Sequence, residues 1–131
     1  MHKIYITGIA GFIGFHLAKK LVNEGYEVAG IDNFNSYYDP QLKRDRALLL
    51  DTHICDSDIE TVDWESLEDY DAVIHLAAHA GVRHSLEHPQ MYIDTNISGT
   101  QRLIHRCEEL EIPVVYASSS CVDSDLLNPY A

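Results

Sequence analysis

The sequence has 131 residues, 46% of them hydrophobic and 23% charged, the balance of a folded globular chain rather than a disordered or fibrous one. Its formal net charge of -12 excludes a general affinity for nucleic-acid backbones, so a bound phosphate must be held by main-chain donors or a few well-placed cations. No apolar run approaches the roughly 20 residues a bilayer span needs, and Met1-His2-Lys3-Ile4 enters a strand-like pattern directly, so a cytoplasmic location with no membrane partner is expected.

In chain order, Lys3 to Thr7 reads as a short strand and is followed by glycine punctuation. Apolar residues at Ile13, Leu17, Leu21 and Val22 then recur at helical spacing, and Gly25 is placed to cap that helix. Glu27 to Asp32 is a second buried strand, completing a β-α-β unit. Asn33 to Pro40 is turn-rich and aromatic, Gln41 to Leu50 a short helix, and His53-Ile54-Cys55 a brief strand. Trp64 to Tyr70 is acidic and expected to be helical. Ala72 to Leu76 is a continuous apolar run suited to a parallel sheet covered on both faces. After a loop, a long helix is expected from about Pro89 to Leu110, with Ile93, Ile97, Leu103 and Ile104 on its buried side, and Pro113 to Ala117 is the last strand.

Strands alternating with helices, without an internal repeat or a linker, predict one α/β domain over residues 1–131 with a doubly wound parallel sheet. The strand pattern stops after Ser120, so the sheet is expected to be incomplete at the C-terminus. Cys55, Cys107 and Cys121 are an odd number without metal-ligand spacing, and the eight histidines are scattered, so neither a disulfide framework nor a metal is assigned.

The strongest chemical signal is Gly8-Ile9-Ala10-Gly11-Phe12-Ile13-Gly14, set between the first strand and the first helix. Glycines there allow a tight turn, close approach of the main chain to a diphosphate and close helix-strand packing, while the helix N-terminus offers free N–H groups and a partial positive charge. Asp32 closes the second strand about twenty residues on, where a carboxylate accepts from ribose hydroxyls and repels a 2′-phosphate, favouring NAD over NADP. Its alternative role is to start a turn with Asn33.

The x-x spacing between these glycines resembles the cofactor loop of extended short-chain dehydrogenases/reductases, the group that contains nucleotide-sugar epimerases and dehydratases. Ile31-Asp32-Asn33-Phe34-Asn35-Ser36-Tyr37-Tyr38-Asp39-Pro40 with Leu42-Lys43, and His75-Leu76-Ala77-Ala78-His79-Ala80-Gly81-Val82-Arg83-His84-Ser85, are similar to UDP-glucuronate 4-epimerases. The resemblance runs from Lys3 to about Val122. It implies a Rossmann-type fold, an NAD cofactor and a UDP-sugar substrate, with the glycine loop, including Phe12 and Ile13, on the diphosphate.

By the same resemblance Asn33 and Asn35 lie beside the adenosine end, and Asp56 with Ser57 meets the adenine. Lys43 reaches the cofactor or is a solvated helix cation; Asp56 has the alternative of a surface aspartate. Leu76, Ala77 and Ala78 let the main chain run beside the cofactor. His79 stands where glutamine is more usual. Arg83 is a candidate for a substrate carboxylate or phosphate, or pairs with a nearby carboxylate. Asn96 is architectural, and Gly99 permits close helix-sheet packing.

For catalysis the resemblance assigns Ser119 to the sugar hydroxyl and Tyr130 to the general base, whose phenol needs a following lysine and the nicotinamide charge to lower its pKa from about 10. This sequence departs from the pattern: Val122 is followed by Asp123 rather than tyrosine, the interval from Ser119 to Tyr130 is short, and no lysine follows. The expectation is therefore the NAD-binding part of a nucleotide-sugar 4-epimerase interconverting UDP-glucuronate and UDP-galacturonate, inactive as this piece and a possible homodimer. A dehydratase or reductase of the same family, or a non-catalytic NAD-binding module, stays open.

Overall fold

The computed structural model describes residues 2–122. Five parallel strands form one sheet among them: β1 (Lys3–Thr7), β2 (Glu27–Asp32), β3 (His53–Asp56), β4 (Ala72–His75) and β5 (Val114–Tyr116), in the order β3-β2-β1-β4-β5. The chain lays down β1 to β3 in one direction and then crosses back to place β4 on the other side of β1. That reversal opens a crevice at the carboxyl ends of β1 and β4, the usual ligand position in a doubly wound sheet.

The helices are α1 (Phe12–Asn23), α2 (Pro40–Leu49), α3 (Val82–Glu87), α4 (Pro89–Tyr92) and α5 (Thr100–Glu109), with a π-helical segment over Ile93–Gly99 joining the last two. One apolar cluster, containing Ile6, Ile9, Phe15, Ala18 and Val28, packs α1 onto the sheet. The other covers the opposite face with Tyr5, Ile31, Trp64, Leu67, Val73, Leu103 and Cys107. Residues of β1 and β2 alternate between the two clusters, as the period of a strand buried on both sides requires.

Three expectations about packing change. On α1 the buried residues are Gly14, Phe15 and Ala18, whereas Ile13 and Val22 are exposed. The acidic segment forms a 3₁₀ turn over Glu65–Asp69; Trp64 and Leu67, three residues apart, both enter the core, a spacing that suits three residues per turn. On the long helical element the buried series is Thr95, Gly99, Leu103 and Cys107, and Ile93, Ile97 and Ile104 face outward. The narrow gap is the cause: a Cβ at Gly99 would lie 2.8 Å from Ile59 Cγ1, so only a residue without a side chain fits against the sheet side.

Helix ends follow local chemistry. At the end of α1, Gly25 adopts φ +91 and donates to the Val22 carbonyl, while Tyr26 donates to Leu21, the paired bonds of a Schellman motif. The end of α5 repeats it with Glu111 at φ 55: Glu111 donates to Glu108 and Ile112 to Cys107.

Candidate functional site

At the end of β1, Gly8 turns with φ +73 and donates to the Ile31 carbonyl at 2.8 Å. A Cβ there would lie 2.9 Å from the Ala77 nitrogen, so two stretches of bare main chain, one after β1 and one after β4, run against each other. Gly11 begins α1 without a side-chain cap, leaving the first-turn N–H groups of the helix directed at the crevice. Gly14 sits beneath them, where a Cβ would fall on the Gly8 carbonyl oxygen. Ile9 and Ala10 are fully buried, which anchors the loop to the core.

Asp32 is buried at the end of β2. Its Oδ2 accepts from the Ala10 N–H at 3.0 Å and its Oδ1 from Phe34 N–H at 2.9 Å, so the carboxylate ties the glycine loop to the next turn. Asp32 thus starts the turn and also lines the crevice. The turn continues in the same idiom, with Asn33 Oδ1 accepting from Asn35 N–H, Asn35 Oδ1 from Tyr37 N–H, and Asp39 Oδ1 from Gln41 N–H to cap α2 ahead of Pro40. The Asn33 amide also donates to Asp58 Oδ1 at 2.7 Å.

This turn carries Tyr37 and Tyr38 over the crevice. Lys43, buried on α2, donates from Nζ to Asn35 Oδ1 at 3.0 Å and lies 4.8 Å from the Tyr38 ring centroid. Burial pushes its pKa below the usual lysine range; Asp32 opposes that and Arg46 adds to it.

The floor is set by a buried polar chain. Thr7 Oγ1 accepts from the N–H groups of Leu76 at 3.1 Å and Ala77 at 3.0 Å, so its own proton goes to His75 Nδ1 at 2.7 Å. His75 must then carry its proton on Nε2, which donates to Thr100 Oγ1 at 2.8 Å. Burial lowers the His75 pKa and keeps the ring neutral. Above the floor, Asn96 grips both sides of His79, accepting from its N–H at 2.8 Å and donating to its carbonyl at 2.9 Å. The π-helical turn lets Asn96 face this loop while Thr95 and Gly99 face inward. Thr95 donates to Glu60 Oε1 at 3.0 Å, and Glu60 Oε2 has no hydrogen-bond partner among the described residues. Burial also lowers the pKa of His79, and Glu60 is the strongest opposing influence.

The result is a cleft of about 500 Å³. Of the residues expected from sequence, Gly8, Gly11, Phe12, Asp32, Asn33, Asn35, Lys43, Ser57, Leu76, Ala77 and Ala78 line it. Ile13 and Gly14 stand beside it in the first turn of α1. Asp56 does not reach it; its carboxylate lies 3.8 Å from Arg44 at the surface, and the chain after β3 enters the cleft through Ser57, Ile59 and Glu60 instead. Arg102 fixes that segment by donating to the carbonyls of Ile59 and Val62. Arg83 is exposed on α3 and Ser119 lies just beyond β5; neither lines the cleft. Tyr130 lies outside the described residues. Among those residues no group of three or more His, Cys, Asp or Glu is placed to hold a metal ion, and no helix is long and apolar enough to cross a membrane.

Sequence reasoning missed Thr7 and His75, Tyr37, Arg46, Glu60 and Thr95. A signal existed for Arg46, which shares a face of α2 with Lys43 three residues earlier. None existed for Glu60, whose position depends on how Arg102 holds the chain after β3.

The sequence profile of the NAD dependent epimerase/dehydratase family matches residues 4–128. The chain belongs to that family. Among similar proteins, Protein CapI of Staphylococcus aureus is 42% identical over 133 aligned residues, covering 92% of this chain and 38% of the relative. UDP-glucuronate 4-epimerase 4 of Arabidopsis thaliana is 41% identical over 128, covering 91% and 29%. The crystal structure of UDP-glucuronic acid 4-epimerase from Bacillus cereus in complex with UDP-glucuronic acid and NAD superposes with a TM-score of 0.83 at 38% identity, covering 90% of this chain and 40% of that one. The chain therefore spans well under half the length of these relatives.

Proposed function

We propose that the chain is the NAD-binding part of a nucleotide-sugar 4-epimerase and that the dinucleotide lies along this cleft. The observation that carries the reading is the fit of bare main chain to a diphosphate: Gly8 and Gly14, where a Cβ would strike neighbouring main chain, Gly11 between them, the uncapped N-terminus of α1 above, and the Asp32 carboxylate at one end. Leu76, Ala77 and Ala78 form the floor, Asn33, Asn35 and Lys43 flank the adenosine end, and Ser57 with Ile59 borders the base. NAD, when bound, supplies a reversible hydride acceptor. What the chain contributes is position: Asp32 for the ribose, α1 for the phosphates, and the Thr7-His75-Thr100 chain that keeps the floor flat.

The substrate we infer is UDP-glucuronate, interconverted with UDP-galacturonate, supported by the relatives named above and by Asn33 to Lys43 and Gly81-Val82-Arg83. Arg83 is the proposed partner of the substrate's acidic group, Ser119 of the sugar hydroxyl and Tyr130 the proposed base. Arg83 and Ser119 stand outside the cleft, so we expect the 131-residue chain to bind NAD without measurable epimerisation. A homodimer of the whole protein through the Pro89 to Leu110 element accords with the outward-facing Ile93, Ile97 and Ile104.

Calorimetric titration with NAD and UDP-glucuronate tests the reading. Saturable NAD binding, weakened at least about tenfold by Asp32→Ala through loss of its charge-assisted hydrogen bonds, is expected. An absence of NAD binding, or measurable turnover by this chain alone, contradicts it.

A further inference from the structure

The two walls of the cleft meet at Tyr37. The turn after β2 and the loop after β4 leave strands that flank β1 on opposite sides, so their starting points lie two strand spacings, roughly 10 Å, apart with the glycine loop between them. Tyr37 crosses that gap. From the β2 turn its hydroxyl reaches the main chain of Gly81, where a Cβ would lie 2.5 Å from the phenol oxygen. Its ring meets His84 of α3 edge-on, with centroids 5.7 Å apart. Gly81 has φ +98, so both its backbone angle and the space beside it favour a residue without a side chain under the phenol.

The two sides of this crossing are held differently. On the β4 side, Asn96 grips the N–H and the carbonyl of His79, and the Tyr92 hydroxyl donates to the Ala80 carbonyl. Having given its proton to Ala80, that hydroxyl accepts from His84 Nδ1, which fixes the imidazole beside the Tyr37 ring. On the β2 side, the turn is held by side-chain caps from Asn33, Asn35 and Asp39 to nearby main-chain N–H groups. Tyr37 is 54% exposed, and its hydroxyl makes no hydrogen bond to the described residues. The β4 side is the seat, and the phenol is the part that lifts.

A dinucleotide has two broad nucleoside ends joined by a narrow diphosphate. With its diphosphate against the glycine loop, one end would lie at Asp32, the other beyond Ala78, and the Tyr37 crossing over its waist. A bar in that place retains the ligand by shape, because each broad end must clear it. We propose that Tyr37 is a latch across the cleft, resting on Gly81 before and after loading and lifting to let the dinucleotide in or out. The proposal rests on the cofactor reading above. It assigns to Tyr37 the rate of exchange rather than the strength of binding, since a bar that lifts for entry and for exit slows both alike.

The test is kinetic, on the 131-residue chain and on Tyr37→Ala and Tyr37→Phe. Stopped-flow mixing with NADH gives kon, and displacement of bound NADH by excess NAD, followed by nicotinamide fluorescence, gives koff. In Tyr37→Ala both rate constants should rise by about three- to tenfold, the worth of an edge-on aromatic contact, with Kd held within about twofold. Tyr37→Phe keeps the ring against His84 and should raise them less. ADP has one broad end and can leave from the side of the bar, so its exchange, read from NMR line shapes, should be the same in all three chains. Rates unmoved in Tyr37→Ala, a koff raised with kon unchanged, or an equal acceleration of ADP overturns the latch and leaves the cofactor reading intact. Failure of NADH and NAD to bind the unmodified chain overturns the two together.

Discussion

Gly14 and Gly25 separate two reasons for glycine. A Cβ at Gly14 falls on the Gly8 carbonyl, so Gly14→Ala should displace the loop, cost about 3 kcal/mol and weaken NAD binding in the same titration. Gly25 has nothing within 4 Å of a Cβ, and only its φ of +91 resists substitution. Gly25→Ala should cost about 1–2 kcal/mol in urea unfolding and leave NAD affinity unaltered.

His75 gives a pH signature. Its folded pKa lies below the ordinary value of about 6.5 because burial disfavours the charged ring, and protonating Nδ1 breaks the bond from Thr7. The folded state therefore binds fewer protons than the unfolded chain at pH values below 6.5. The contribution of neutral His75 is fully present above that pH and is lost as pH falls from 6.5 toward the folded pKa. Unfolding free energies measured from pH 7.5 to 5 should fall over the acid half of that range, and the slope should be shallower in His75→Gln. An identical slope in the variant would show that His75 is not the linked group.

Elements were legible in type and order more than in orientation. The parallel strands follow from short apolar runs, and α2 from Asp39 and Pro40 at its start. The faces of the long helical element were not readable, because the π-helical turn adds residues per turn at Ile93–Gly99 and shifts the phase away from a 3.6-residue count. The isoleucines satisfied that count; the gap beside Ile59 demanded Gly99 instead. Likewise, Asp56 ends β3 in register with Asp32, yet its side chain faces solvent, and only the path of the following loop, held by Arg102, decides which residues enter the cleft. The end of α5 offers a simple check at this scale. Glu111 occupies a left-handed position that glycine fills at the end of α1, so Glu111→Gly should raise stability by about 1 kcal/mol, read as a shift of the urea midpoint at constant slope. Destabilisation would mean that the Glu111 side chain contributes more than its backbone strain.

At the scale of the whole molecule, sheet order converts a sequence pattern into a site. The reversal between β1 and β4 brings the turn after Thr7 against the main chain after His75, and the side chains that flank the crevice come from four separate segments: the glycine loop, Asp32 to Arg46, Ser57 to Glu60, and Leu76 to Ala80 with Thr95 behind them. On the proposed reading a molecule of charge -12 accepts a dinucleotide there because the phosphates would meet helix and main-chain dipoles, with Lys43 and Arg46 the two cations lining the cleft. Occupation should stabilise the fold as a whole: at a hundredfold excess of NAD over its Kd the gain is about 2.7 kcal/mol.

The most direct measurement of the central claim is a titration of the ¹⁵N-labelled chain with NAD followed by backbone amide NMR. The amides of Gly11, Phe12, Ile13 and Gly14, together with that of Ala10 beside Asp32, should shift saturably and more than those elsewhere in the sheet. Saturable binding with those amides unmoved would place the dinucleotide elsewhere and contradict the account.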